Sequence, residues 1–117
     1  MTKDISFKEI QEMALAVRNH YDELQVADGY KKWQSSERMA GFVTDVGDLS
    51  KLVMIKNKLR RGPENIDELL AHELSDCLWS VVVLADEFDI DLEKAFTKTI
   101  KDLHKRIEKD KKEGIKQ

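Results

Sequence analysis

The sequence lacks the features that mark disulfide-bonded, nucleic-acid-binding, membrane-spanning and secreted proteins. A single cysteine, Cys77, excludes an internal disulfide and fits a reducing cytosol. The net charge of −3 gives no general case for a nucleic-acid partner. The longest apolar run, residues 81–85 with Leu78 and Trp79 just before it, is too short to span a membrane. The N-terminus lacks a signal-peptide apolar core, so we expect a soluble cytoplasmic protein with no membrane partner.

Proline and glycine are also scarce, at one and five residues, and the apolar residues recur at intervals of three and four. This period is typical of amphipathic helices, and no convincing strand alternation accompanies it. The length of 117 residues fits one domain. The sequence therefore predicts an all-α fold in which four helices with short connections form an antiparallel, bundle-like structure.

Caps and breakers give the bounds of the first two helices. Helix one is predicted over residues 6–24, with a capping box at its start. Helix two is predicted to begin after Ser35 or Ser36 and to stop at the Gly-Pro pair of residues 62–63.

Helix three is predicted over about residues 65–88 and is apolar on most sides from Leu78 onward. A helix that is apolar nearly all round needs burial on several sides, so we expect a homodimer or a tetramer to complete the fold. Helix four is predicted to start near Asp89 or Asp91, and residues 108–117 are predicted to be a frayed, solvated tail.

Two pairs of acidic residues lie within otherwise apolar sequence. Asp45 and Asp48 belong to predicted helix two, and Glu73 and Asp76 belong to predicted helix three. The i, i+3 spacing points both side chains of a pair the same way. Carboxylates are costly to bury without a compensating cation, so two such pairs on neighbouring helices predict a site for a hard divalent cation. The alternative is that each pair lies on a solvated helix face.

These pairs and the residues that follow them resemble the MazG-like nucleoside triphosphate pyrophosphohydrolases, the all-α NTP pyrophosphatases. That family has an E-x-x-E pair, often E-E-V-G-E-L, and then an E-x-x-D pair, often E-L-x-D-x-L. The matching stretches here are T-D-V-G-D-L at residues 44–49 and E-L-S-D-C-L at residues 73–78. Residues 84–96 also look like the family, and the resemblance covers about residues 30–107.

The resemblance implies that a nucleoside triphosphate is hydrolysed to a nucleoside monophosphate and pyrophosphate, with house-cleaning of noncanonical or deoxy nucleotides as one role. The family's catalytic and metal-binding residues carry over onto Asp45, Asp48, Glu73 and Asp76, with Mg²⁺ as the cofactor and Mn²⁺ as the alternative. Asp45 is our choice of base, and the other three remain open. The first pair departs from the family, because each aspartate is about 1.5 Å shorter than a glutamate. A bridging water, a closer helix two and a weaker site all remain open.

Substrate-binding residues also follow from the resemblance. Lys101, Lys105 and Arg106 on helix four match a basic patch that the family places near its substrate. Trp33 lies just before helix two, where family members often have an aromatic residue, and is predicted to stack on a base. Solvated lysines and a packing role for Trp33 are the alternatives. For Trp79 a core or dimer role is favoured.

Other residues with reactive side chains are assigned structural roles. His72 adjoins Glu73 but lies about 100° around the helix from it, so we do not expect it to be a ligand. Cys77 is predicted to be a small core residue. Two further functions remain open, namely a non-catalytic helical module that binds nucleotide or metal and a plain helical dimerisation protein.

Overall fold

The structure is a computed structural model that describes residues 4–114. Over that range it contains α-helices and no strand, which confirms the predicted all-α fold. The helices are α1 (Phe7–Ala27), α2 (Ser35–Lys56), α3 (Ile66–Glu87) and α4 (Leu92–Glu113).

At the starts of α1 and α4, a side chain accepts a hydrogen bond from a free backbone N–H group. Ser6 accepts a hydrogen bond from the Glu9 N–H at 3.1 Å, which is one of the two bonds of the predicted capping box. The Glu9 carboxylate accepts from the Ser6 hydroxyl at 3.3 Å, and not from the Ser6 backbone N–H. Asp91 accepts from the Lys94 N–H at 3.0 Å, so the second of the two predicted starts of helix four is confirmed. Helix α2 begins at Ser35 itself, slightly earlier than predicted.

Three helices end in the same way, with a residue in the left-handed region just past the C-cap: Gly29 (φ +86°), Lys58 (φ +61°) and Asp89 (φ +54°). After α2, the Leu59 N–H donates back to the Met54 carbonyl at 2.8 Å, as in a Schellman motif. This turn ends α2 at Lys56, so the prediction that it continues to the Gly-Pro pair was wrong. The prediction of a frayed tail was wrong over residues 108–113, because α4 continues through Glu113, and residues 115–117 lie outside the described part of the chain.

Helices α1, α2 and α3 run up, down and up. Arg38 near the start of α2 is paired with Glu87 at the end of α3, and Lys56 at the end of α2 is paired with Asp67 at the start of α3. These two ion pairs at opposite ends make α2 and α3 antiparallel. The most extensive helix packing is between α2 and α3, followed by α1 against α3.

The buried core of one chain is small. Within residues 4–114, its apolar members are Val82, Val83 and Ala85, all on α3. The radius of gyration is 18.4 Å, whereas a compact chain of this length has about 13 Å. The difference arises because α4 makes at most marginal contact with the other three helices. Helix α3 therefore forms the centre of the fold, as its apolar composition predicts.

The apolar side of α4 is open to solvent in the single chain. Phe96, Leu103 and Ile107 are 62%, 45% and 52% exposed. Large apolar side chains in a continuous exposed stripe usually mark an interaction surface.

Across residues 4–114, no helix combines the length and the apolar character that crossing a membrane requires.

Candidate metal centre and adjoining cleft

The two acidic pairs meet where α2 packs against α3. Carboxylate oxygens of Asp45, Asp48 and Glu73 lie within 4.8 Å of one another. A second group, formed by His72, Glu73 and Asp76, has one ligand-type atom from each residue within the same limit. Glu73 belongs to both groups and therefore links them. The i, i+3 spacing places each pair on one helix face, and the packing of α2 on α3 turns the two faces toward each other.

The clustering changes the acidity of two of these groups. Burial, and then the charges of Asp76 and Asp48, raise the pKa of Asp45 above its ordinary value. Burial, and then the charges of Asp76, Asp45 and Asp48, raise the pKa of Glu73. Both shifts mean that the ionised carboxylates repel one another and have lost part of their hydration.

Glu73 also carries an unsatisfied oxygen. Its Oε2 is buried and has no hydrogen-bond partner among the described residues. A buried carboxylate oxygen without a donor is costly, and a hard cation is the ligand that an all-oxygen set of this kind suits. The residues present therefore fit a divalent metal ion.

His72 lies closer to the acidic group than the sequence analysis expected. Its Nε2 is 3.2 Å from Asp76 Oδ2, and its side chain is 70% exposed. The signal in the sequence was the i, i+4 spacing of His72 to Asp76, because that spacing puts two side chains on one helix face. The angle between His72 and the adjacent Glu73 gives no information about the contact between His72 and Asp76.

A cleft of about 570 Å³ opens beside the carboxylates, within the range typical of small-molecule sites. Three of its lining residues, Val17, Tyr21 and Gln25, follow one face of α1 at four-residue intervals. The remaining lining residues come from the loop before α2, from α2 and from α3: Trp33, Arg38, Asp45, Ser75, Asp76 and Trp79. Asp45 and Asp76 thus join the acidic group to a cleft with aromatic walls.

Trp33, which is predicted to stack on a base, lines this cleft, and the stacking itself stays a prediction. Its ring packs against the α2 backbone at Gly41, where an added Cβ would lie 3.3 Å from Trp33 Cζ3. Trp79 has two roles. Its Nε1 donates to the Ala14 carbonyl at 2.9 Å, which ties α3 to α1, and its ring forms part of the cleft wall and an edge contact with Tyr21.

The predicted basic patch lies elsewhere in the single chain. Lys101 and Lys105 line separate shallow grooves on α4, and Arg106 is exposed on the same helix. The described residues that line the cleft include none from α4. The tertiary structure of one chain therefore does not bring these cations to the carboxylates, and their role at the substrate stays a prediction.

Cys77 is half-buried beside the acidic group. Burial, and then the charges of Asp45, Glu73 and Asp76, raise the pKa of its thiol. Thiolate formation is disfavoured there, which agrees with a packing role and not with a nucleophile.

Residues 2–110 of this 117-residue chain match the family model of the MazG nucleotide pyrophosphohydrolase domain. Searches of curated proteins and of solved structures gave no match. The matched range covers all four acidic residues, Trp33, and Lys101, Lys105 and Arg106 of α4.

Proposed function

Because the chain belongs to the MazG nucleotide pyrophosphohydrolase family, we propose that it hydrolyses nucleoside triphosphates between the α and β phosphates. The products are a nucleoside monophosphate and pyrophosphate, and noncanonical or deoxy nucleotides are the proposed substrates. The observation that supports this proposal most is the meeting of Asp45, Asp48 and Glu73 within 4.8 Å, at one side of a cleft with aromatic walls.

We propose that Asp45, Asp48, Glu73 and Asp76 hold a divalent cation, Mg²⁺ or alternatively Mn²⁺. Oxygens on opposite sides of Mg²⁺ lie about 4.2 Å apart. Oxygens that already lie within 4.8 Å of one another therefore need only small side-chain rotations to surround an ion. The short aspartates of the first pair are compatible with this, because α2 carries them close to Glu73. A cation of this class supplies charge neutralisation and activation of water.

The chain's own residues position the water and the substrate. Asp45 is the proposed base, because it belongs to the acidic group and also lines the cleft that would hold the substrate. It would take the proton of the water that attacks phosphorus, while the bond between the α and β phosphates breaks and pyrophosphate leaves. The base of the nucleotide would lie between the walls formed by Trp33 and Trp79.

We further propose that the protein acts as a homo-oligomer. The exposed apolar side of α4 and the large radius of gyration support this, because one chain leaves too much apolar surface uncovered. Assembly would also allow Lys101, Lys105 and Arg106 to approach the phosphates, which they do not do within one chain. Sedimentation of the wild type and of Phe96→Glu/Leu103→Glu tests this. We expect a dimer or larger for the wild type and a smaller species for the variant, whereas a wild-type monomer would contradict the proposal.

Pyrophosphate release over a panel of ribo-, deoxy- and noncanonical nucleoside triphosphates, with Mg²⁺, Mn²⁺ or EDTA, tests the activity. We expect metal-dependent turnover that falls by about 100-fold or more in Glu73→Gln and Asp76→Asn. Glu12→Gln is the matched control, because Glu12 is an exposed acid on α1 outside the acidic group. Binding without turnover would instead indicate a non-catalytic module, and neither binding nor turnover would indicate a plain dimerisation protein.

A further inference from the structure

The α1 wall of the cleft carries one amide side chain, that of Gln25. Val17 and Tyr21 precede it at four-residue intervals on the same face. Gln25 lies beside Trp33, because the Trp33 backbone N–H donates to Gln25 Oε1 at 3.4 Å. Gln25 is therefore placed next to the ring on which the nucleotide base is proposed to stack.

The contact with Trp33 fixes which end of the Gln25 amide is free. A backbone N–H can only donate, so the oxygen of the amide must face it. The Nε2 group, with two N–H donors, then has no protein acceptor among the described hydrogen bonds. Gln25 lines the cleft, so a ligand bound there that offers an acceptor can take one of these N–H donors in place of water.

Apart from Asp45 and Asp76, which are proposed to hold the metal, the polar groups that line the cleft do not compete for this role. The Arg38 guanidinium, at 6% exposure, is already paired with Asp22 at 2.8 Å and with Glu87 at 2.5 Å. The Ser75 hydroxyl donates to the Ala71 carbonyl within α3 at 2.7 Å. A Tyr21 hydroxyl both donates and accepts, so it does not discriminate between donor and acceptor groups on a ligand.

We propose that Gln25 reads the edge of the substrate's base by donating from Nε2 to a keto oxygen. The cleft then prefers 4-oxo pyrimidines and 6-oxo purines to their amino counterparts. An amino group in the same place sets donor against donor, and once the bound ligand excludes water both donors are left unsatisfied, which is the kind of mismatch that discriminates strongly. This inference rests on the proposed function, because it assumes that the cleft receives a nucleotide.

Two substrate pairs isolate the effect of the exocyclic group: dUTP against dCTP, and dITP against dATP. For each pair we would measure kcat/KM with Mg²⁺. We would also measure the Kd of non-hydrolysable α,β-methylene analogues by tryptophan fluorescence and calorimetry. The wild type is expected to prefer the keto member of each pair by about tenfold or more.

Three variants make the measurement specific. Gln25→Glu keeps an oxygen for the Trp33 N–H but replaces the free donors with an acceptor, so the preference is expected to reverse toward dCTP and dATP. Gln25→Met removes the hydrogen bonds and is expected to bring both ratios close to one. Gln11→Glu makes the same chemical change on α1 away from the cleft lining and is expected to keep the wild-type ratios. Circular dichroism and thermal melting verify that each variant is folded.

The outcomes separate the two proposals. Unchanged ratios in folded Gln25→Glu and Gln25→Met overturn the inference even if turnover is normal. Analogue binding with the expected ratios, but without turnover of any substrate, supports the inference and overturns the proposed hydrolysis. No binding of any analogue to the wild type overturns both.

Discussion

Asp45 on α2 and Glu73 on α3 hold carboxylate oxygens within 4.8 Å of each other. Burial and the surrounding acids raise the pKa of both residues. Two ionised carboxylates at this separation destabilise the metal-free fold, and a bound cation would remove that cost. We therefore expect stability and metal binding to be coupled at this contact.

Removing one of these charges should stabilise the metal-free protein. We expect Asp45→Asn to melt a few degrees higher than the wild type in EDTA at pH 7, because the repulsion on Glu73 is reduced. The same variant should lose most of the increase in melting temperature that Mg²⁺ produces in the wild type. Differential scanning calorimetry with and without Mg²⁺ measures both effects, with Glu12→Gln as a control of equal charge change. Equal melting temperatures in EDTA would contradict the coupling.

The pH dependence of that difference has a definite sign. A carboxyl group whose pKa is raised in the folded state favours folding when it is protonated, and this contribution is lost as pH rises through the raised pKa. In EDTA, the advantage of Asp45→Asn over the wild type should be small near the ordinary carboxyl pKa of about 4. It should grow as pH rises through the raised pKa values of Asp45 and Glu73. Melting curves from pH 4 to pH 7 test this, and a constant difference would show that other groups are responsible.

The two glycines within α2 should respond differently to alanine. Nothing lies within 4 Å of a Cβ added at Gly47, so Gly47→Ala should stabilise the fold by about 1 kcal/mol through helix propensity. At Gly41 the added Cβ would press on Trp33 at 3.3 Å. Gly41→Ala should therefore gain less stability and raise the KM for nucleotide several-fold, because Trp33 has to shift. Urea denaturation and steady-state kinetics measure the two effects. A similar KM in both variants would mean that the Trp33 position is unimportant for binding.

Substitutions at the three residues just past the C-caps should change the stability of the protein in opposite directions. Lys58 and Asp89 adopt positive φ with a side chain that this region disfavours, whereas Gly29 adopts it freely. We expect Lys58→Gly and Asp89→Gly each to stabilise the protein by about 0.5–1 kcal/mol, and Gly29→Ala to destabilise it by about 1 kcal/mol. Denaturation midpoints at one protein concentration provide the measurement. Destabilisation by Lys58→Gly would indicate that its side chain makes contacts that outweigh the strain.

The buried cation Arg38 should contribute much more to stability than a surface ion pair. Arg38 has a 5% exposed side chain between Asp22 and Glu87, which are 16% and 18% exposed. Arg38→Met should cost about 3 kcal/mol, because it leaves two half-buried carboxylates without a cation. Lys98→Met should cost less than about 0.5 kcal/mol, because its pair with Asp102 is solvated.

A triple variant distinguishes loss of charge balance from loss of packing at Arg38. Adding Asp22→Asn and Glu87→Gln to Arg38→Met removes the two uncompensated charges and should recover more than half of the lost stability. Urea denaturation of the wild type, Arg38→Met, Lys98→Met and the triple variant provides the measurement. No recovery in the triple variant would assign the loss to packing.

Local sequence patterns predicted the features that depend on residues close together in the chain. The starts of α1 and α4 follow from Ser6 and Asp91, which cap backbone N–H groups three residues away. The end of α2 was missed because the chain turns at Lys58, a residue that rarely adopts positive φ, instead of at the Gly-Pro pair. The continuation of α4 to Glu113 was missed because its last turns are charged and show no apolar period.

The site was predictable in part for the same reason. Trp33 and the acidic pairs come from motifs, and their spacing alone indicates which side chains of a helix face one way. Gln25 belongs to no motif. The only signal in the sequence was its position on the Val17–Tyr21 face of α1, and that face has no meaning until it is known to border α3. Whether Lys101 approaches the carboxylates depends on where α4 packs, and the periodicity of apolar residues along a helix does not determine this.

The sequence by itself determined that the chain is helical, that α3 is its most apolar helix, and that Asp45, Asp48, Glu73 and Asp76 form two matched pairs. These properties come from side-chain periodicity and capping, which act over one or two turns of chain. Only the tertiary structure decided that Glu73 belongs to both clusters of potential metal ligands, that Gln25 borders the aromatic cleft, and that α4 leaves its apolar side open. These relationships depend on how helices distant in sequence pack, and that packing is set by the sum of many weak contacts that no single motif encodes.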